Sequence, residues 1–135
     1  MADGMFDMVS DIVYNGVPHV YAKSCNISAP EFEAGRALES YIREKHPTVA
    51  VCPKDKLLPV FVHTPGSRVF TDPATGLKKS PDQVKIALNF TVDLVKCKGI
   101  DPSKIVVIAP YAANVELLTY MLRHPQRWRK AHRSL

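Results

Sequence analysis

The sequence predicts a three-layer α/β domain with a small, mainly parallel sheet flanked by helices. Strand-like and helix-like segments alternate from residue 57 to residue 123, the order expected of βαβ units. Ile105–Ala109 (IVVIA) is a continuous apolar run, the pattern of a parallel strand covered on both faces. The chain has 135 residues, 46% hydrophobic and 23% charged, which suits one domain with a modest core and argues against wholesale disorder.

The elements are expected in the following order. Met5, Met8, Val9, Ile12 and Val13 fall at helical spacing over roughly 3–15, with Asp3 as a cap and Asn15-Gly16 as a stop. Residues 16–28 read as irregular, with an extended piece around His19–Ala22. Ser28-Ala-Pro-Glu31 then opens a second helix, with Ser28 as its cap. Phe32, Gly35, Leu38, Tyr41 and Ile42 share one face of it, and Arg43 and Lys45 lie near its end before Pro47. Val49–Cys52 is a short strand candidate. Leu57–His63 (LLPVFVH) reads as a buried strand, and Pro65–Lys79 as a loop with turn signals at Asp72-Pro73 and Thr75-Gly76.

Ser80-Pro-Asp-Gln83 supplies a cap, a proline at the first helical position and a glutamine three residues on. The helix that follows has Val84, Ala87, Leu88, Thr91, Leu94 and Val95 on one face and ends at Lys96, Lys98 and Gly99. Asp101–Lys104 is a tight connection into the Ile105–Ala109 strand, which Pro110 ends. Asn114–Arg123 forms a last helix with Val115, Leu118, Met121 and Leu122 aligned.

Charge divides the chain into a body, 1–122, and a basic tail, 123–135. The body holds 13 Lys/Arg and all 13 acidic residues, so the net charge of +5 resides wholly in the tail. No run reaches the roughly 20 apolar residues of a membrane span. Asp3, Asp7 and Asp11 occupy the stretch where a secretory signal would be basic and then apolar, so an intracellular chain, cytoplasmic or nuclear, is expected. Three widely spaced cysteines, Cys25, Cys52 and Cys97, are expected to be reduced, buried and inert.

Catalytic patterns are missing. There is no glycine-rich phosphate loop ending in Lys-Ser/Thr, no G-x-S-x-G elbow, and no histidine pair at metal spacing among the five histidines. His63, beside Thr64, is the only histidine in a site-like position, and a satisfied strand-end side chain is the simpler reading of it.

Val107–Leu118 reads VIAPYAANVELL and directly follows Lys98-Gly-Ile-Asp-Pro-Ser-Lys-Ile105. This block resembles the second motor domain of superfamily 1 helicases of the nonsense-mediated-decay and senataxin type. There a turn and a strand deliver I-T-P-Y-x-x-Q, and a helix follows. Leu58–Val62 looks like that family's preceding strand, Ser80–Gln83 is similar to its helix start, and Ile12–Gly16 is similar to its F-Y-x-G-x-L element. The resemblance covers most of 1–122 and is most specific over 80–122. It implies a partial RecA-like domain of the P-loop NTPase type. Single-stranded RNA or DNA would cross Thr64, Pro65, Ser67 and Arg68 after one strand, and Pro110, Tyr111 and Asn114 after the next.

The departures are informative. Ala109 replaces the family's threonine, and Asn114 its glutamine. The adenine-contacting residues before Met1, the phosphate loop, the magnesium ligands and the arginine finger are not in the chain. ATP and magnesium belong to the family; no cofactor is expected for this chain alone, and no ATP hydrolysis.

Three binding modes follow. Nucleic acid would lie on the strand-end residues, or on the tail, where Arg127, Trp128, Arg129 and Lys130 combine charge with a stacking aromatic. The plainer reading of the tail is a solvated terminus. Alternatively, the chain is a protein-interaction module that pairs with a second copy or a larger helicase through an uncovered sheet edge.

Overall fold

The computed structural model describes residues 1–126. Four α-helices dominate: α1 (Asp7–Val13), α2 (Glu33–Lys45), α3 (Pro81–Lys98) and α4 (Ala112–Arg123). Short 3₁₀ turns occupy Lys23–Cys25, Pro30–Phe32 and Pro102–Lys104. The single sheet among the described residues is an antiparallel pair, β1 (Phe70–Thr71) and β2 (Lys78–Lys79), with Phe70 opposite Lys79 and Thr71 opposite Lys78. Two compact units are formed. The first contains residues 1–62 and 94–104, and the second contains residues 63–93 and the described residues from 105.

The expected three-layer α/β architecture with a mainly parallel sheet, and with it the partial RecA-like fold, is therefore corrected to a mostly helical one. The runs at 49–52, 57–63 and 105–109 adopt neither helix nor strand. The physical reason is that a strand exists only with a neighbour to receive its N–H and C=O groups, whereas apolar patterning speaks only to side-chain burial. Pro59 inside one run and Pro110 after the other also remove ladder donors. The one hairpin forms inside the expected 65–79 loop, where the turn supplies the register. Asp72 Oδ1 accepts from the N–H groups of Ala74 and Thr75, both at 2.9 Å, and Gly76 N donates to Asp72 O at 2.8 Å.

In the first unit α1 is shorter than expected, begins after Phe6 without a side-chain cap, and leaves Ile12 and Val13 exposed. Its buried residue is instead Ser10, 1% exposed, whose hydroxyl donates to Val17 O at 3.1 Å and whose carbonyl accepts from Tyr14 and Gly16. Asn15 and Gly16 do stop the helix, at φ of 54° and 70°. Ser28 caps nothing, since Pro30–Phe32 forms a 3₁₀ turn before α2 starts at Glu33. Tyr41 and Ile42 are buried on α2 as expected, together with Cys52 and Leu57. Gly35 faces Leu57, whose Cδ1 would lie 2.5 Å from an added Cβ, so any larger residue there makes the Leu57 side chain shift.

The second unit has the clearer core. Val84 and Leu88 of α3 pack with Leu118 and Met121 of α4, and Ala109 and Leu117 lie against them. Ser80 acts as the expected cap of α3: Gln83 N donates to its hydroxyl at 3.4 Å, and Val84 N to its carbonyl at 3.1 Å. Cys97 is exposed rather than buried, Cys25 is intermediate, Cys52 is buried, and none forms a disulfide. No helix among the described residues is long and apolar enough to cross a membrane.

Candidate functional site

The expected nucleic-acid contacts at 64–68 and 110–114 all fall in the second unit, and two of the segments converge on Ser80, which is 2% exposed. Ser80 N donates to Asn114 Oδ1 at 2.9 Å, and Ser80 Oγ donates to Arg68 O at 2.8 Å. Arg68 is further held by Asp82, whose Oδ2 accepts from Arg68 N at 3.1 Å and from Nε at 3.2 Å. The two bonds from Arg68 hold the Asp82 carboxyl below its ordinary range. Thr64 and Ser67 close a turn, with Ser67 N donating to Thr64 O at 3.4 Å around Gly66 at φ 78°. Pro110 and Tyr111 are exposed at the start of α4. The arrangement thus uses the Asn114 amide oxygen and the Arg68 side chain to fasten the α3 start. Arg127, Trp128, Arg129 and Lys130 lie outside the described residues.

Just before Pro110, the most apolar run of the sequence lies open to solvent. Val106, Val107 and Ile108 are 79%, 45% and 87% exposed. On α4, Val115 and Leu122 are seven residues apart, hence on one face, and both are exposed while Leu118 and Met121 are buried.

The first unit holds a polar constellation that sequence reasoning missed. The Asp7 carboxylate accepts from Tyr21 Oη at 2.7 Å and Lys56 Nζ at 2.7 Å, and His19 Nε2 lies 3.1 Å from it. Tyr21 Oη in turn accepts from Phe6 N at 2.9 Å. The His19 ring stands edge-on to Phe6 and Tyr21, with centroids 5.0 and 5.3 Å away. The bonds from Lys56 and Tyr21 lower the Asp7 pKa to about 2. Burial, with the bond to Asp7, raises the Tyr21 hydroxyl, and Asp7 raises the Lys56 ammonium. No local pattern could have disclosed this set, because Asp7 and Lys56 are 49 residues apart. Its groups satisfy one another, so it reads as a clasp joining α1 to two loops. Among the described residues no group of three or more His, Cys, Asp or Glu could hold a metal ion.

Compared with known proteins, the chain matches no family model, and neither a curated protein nor a solved structure is significantly similar to it.

Proposed function

We propose that the chain is a protein-interaction module that self-associates, a second copy covering the Ile105–Ala109 run and the exposed face of α4. The observation that carries this reading is the exposure of Val106, Val107 and Ile108, β-formers that have no strand partner. A second copy suits the run on two counts. Two identical segments related by a two-fold axis are self-complementary when antiparallel. Residues 105–109 also carry no charge, so the copies meet without repulsion. Burying each large side chain returns about 1.5–3 kcal/mol, while association costs roughly 4–15 kcal/mol. Three residues from each copy, six in all, return about 9–18 kcal/mol if fully buried, a narrow margin over that cost, which Val115 and Leu122 of α4 widen.

Sedimentation velocity across a wide concentration range tests this. The mass is expected to rise from monomer to dimer, Ile108→Lys to abolish the rise, and Val20→Lys, a control at an equally open position, to leave it. A monomer at every concentration, or a dimer indifferent to Ile108→Lys, overturns the reading. A larger helicase seated on the same run would show as a monomer that dimerises only in its absence.

Binding of single-stranded nucleic acid, with helicase kinship over residues 80–122, is the second reading. It is favoured by the five Lys/Arg and no acid in residues 123–135. Five phosphate contacts would give a salt slope of about −3.5 on single strands. Fluorescence anisotropy of a labelled oligonucleotide with the full chain and with 1–122 decides it, and equal weak binding by both would remove the tail from consideration.

A further inference from the structure

One concavity, of about 170 Å³, opens beside α2 in the first unit, and its walls are strongly basic. Arg36 and Arg43 come from α2, seven residues or about two turns apart along it, and Lys54 and Lys56 come from the loop before Leu57. Glu39, Ser40 and Cys52 complete the polar lining. Burial, with the Glu39 carboxylate beside it, pushes the Cys52 thiol up, so the thiol stays protonated at the cleft floor, donating to Lys56 O at 3.2 Å.

The four cations are differently committed. Lys56 is paired with Asp7 at 2.7 Å. Arg36 donates from Nη1 to Ile27 O, and to Ala29 O at 2.9 Å, which fixes its guanidinium by backbone carbonyls that carry no net charge. Its remaining N–H donors are left for another acceptor. Arg43 and Lys54 have no carboxylate within ion-pair distance among the described residues. Setting Glu39, Asp7 and Asp55, whose charge acts on Lys56, against the four cations leaves one positive charge uncompensated around one small cleft. Like charges held together in a concave, partly desolvated place raise each other's energy, and an anion relieves them.

We infer that this cleft is an anion site for the phosphoryl group of a small phosphate ester. A phosphoryl group answers this positive excess, and its oxygens suit a preorganised guanidinium fork together with a lysine point charge. The cleft is small and walled by a carboxylate on one side. A polyphosphate chain would have to pass Glu39, whereas a single terminal phosphoryl group need not. Arg36 acts as the fixed donor, Arg43 and Lys54 as the mobile arms, and Glu39 as the element that excludes more extended anions.

The test is an NMR-monitored titration of the full chain with inorganic phosphate at constant ionic strength, repeated with chloride and with O-phosphoserine. Saturable shifts at α2 and the 52–57 loop are expected with phosphate and with the ester, and none with chloride. Arg43→Gln is expected to weaken binding about tenfold, the loss of one charge-assisted hydrogen bond, and Arg43→Gln with Lys54→Gln to remove it. Both positions are exposed, so the fold tolerates the changes, and an unchanged circular-dichroism melt confirms it. Lys104→Gln, elsewhere in the same unit, serves as the control for general charge. A strictly linear response to phosphate, or an affinity that the double variant leaves intact, overturns the site. Binding of inorganic phosphate but not of the ester would assign the cleft to free phosphate.

Discussion

The two units are held together by different chemistry. In the second, Val84, Leu88, Leu118 and Met121 form an apolar cluster between α3 and α4, with Ser80 fastening the helix start. In the first, buried Tyr41, Ile42, Cys52 and Leu57 are joined by polar contacts that bridge distant segments. Asp7 gathers Tyr21 and Lys56, Arg36 grips the carbonyls of Ile27 and Ala29, and Lys98 Nζ reaches Glu44 and, at 3.0 Å, Ser40. Apolar packing is non-directional and insensitive to pH, whereas a carboxylate hub depends on geometry and on its charge. The two units are thus expected to fail under different insults.

The largest effect is expected for Leu88→Ala. Leu88 is 3% exposed in a cluster of four buried residues, so truncation leaves a cavity costing about 3 kcal/mol. Hydrogen exchange is the discriminating measurement: amides of α4 lose protection and those of α2 keep theirs. Uniform loss in both helices would mean that the units unfold as one, and the contrast between them would break.

Gly4→Ala is the matching insult to the first unit. Gly4 has φ 92°, and an added Cβ would lie 2.7 Å from Leu57 O and 2.8 Å from Lys56 Cβ. Both the left-handed backbone and the contact with a main-chain atom oppose a side chain, for an expected cost of about 2 kcal/mol. A shift of the urea midpoint with exchange confined to 1–62 is the expected outcome, and a neutral substitution would show that the 1–7 segment does not dock.

Asp7→Asn has the smallest expected effect and the most specific signature. Asp7 titrates at about 2 in the folded protein against an ordinary 3.8. Its contribution to stability is therefore complete above the higher value and disappears as the pH falls through the lower one. The difference in urea midpoint between the wild type and Asp7→Asn should be constant near neutrality, shrink below about pH 4 and vanish only below about pH 2. A difference that does not change with pH would mean that the clasp works by shape and not by charge.

Local chemistry was readable wherever one short segment contains both partners of an interaction. Ser80-Pro81 marks the start of α3, Gly99 its end at φ 64°, and Asn15-Gly16 the end of α1, each because a cap or a left-handed residue acts within a few positions. The turn signals at 72–76 were also visible, but the strands they join, at two residues each, are too short for alternation to reveal. Candidate site residues fared unevenly. Thr64, Ser67, Arg68, Pro110, Tyr111 and Asn114 share one unit, yet Arg68 and Asn114 spend their polar groups on Asp82 and Ser80, which spacing could not foretell. The basic cleft drew no notice because Arg36, Arg43, Lys54 and Lys56 lie in an electrically balanced body.

What the sequence determined by itself was the helix at 81–98 with both its ends, the helix that ends at Arg123, though it starts at Ala112 and not at the expected Asn114, and the segregation of net charge into 123–135. Only the tertiary structure decided that Val106, Val107 and Ile108 are bare, that Ser10 is buried while Ile12 is not, and that Asp7 meets Lys56. Helix propensity, capping and net charge act over a few residues and are written into composition. Strand pairing and burial belong to whichever distant segment arrives to supply a partner, and an apolar run specifies the need for cover without specifying who provides it.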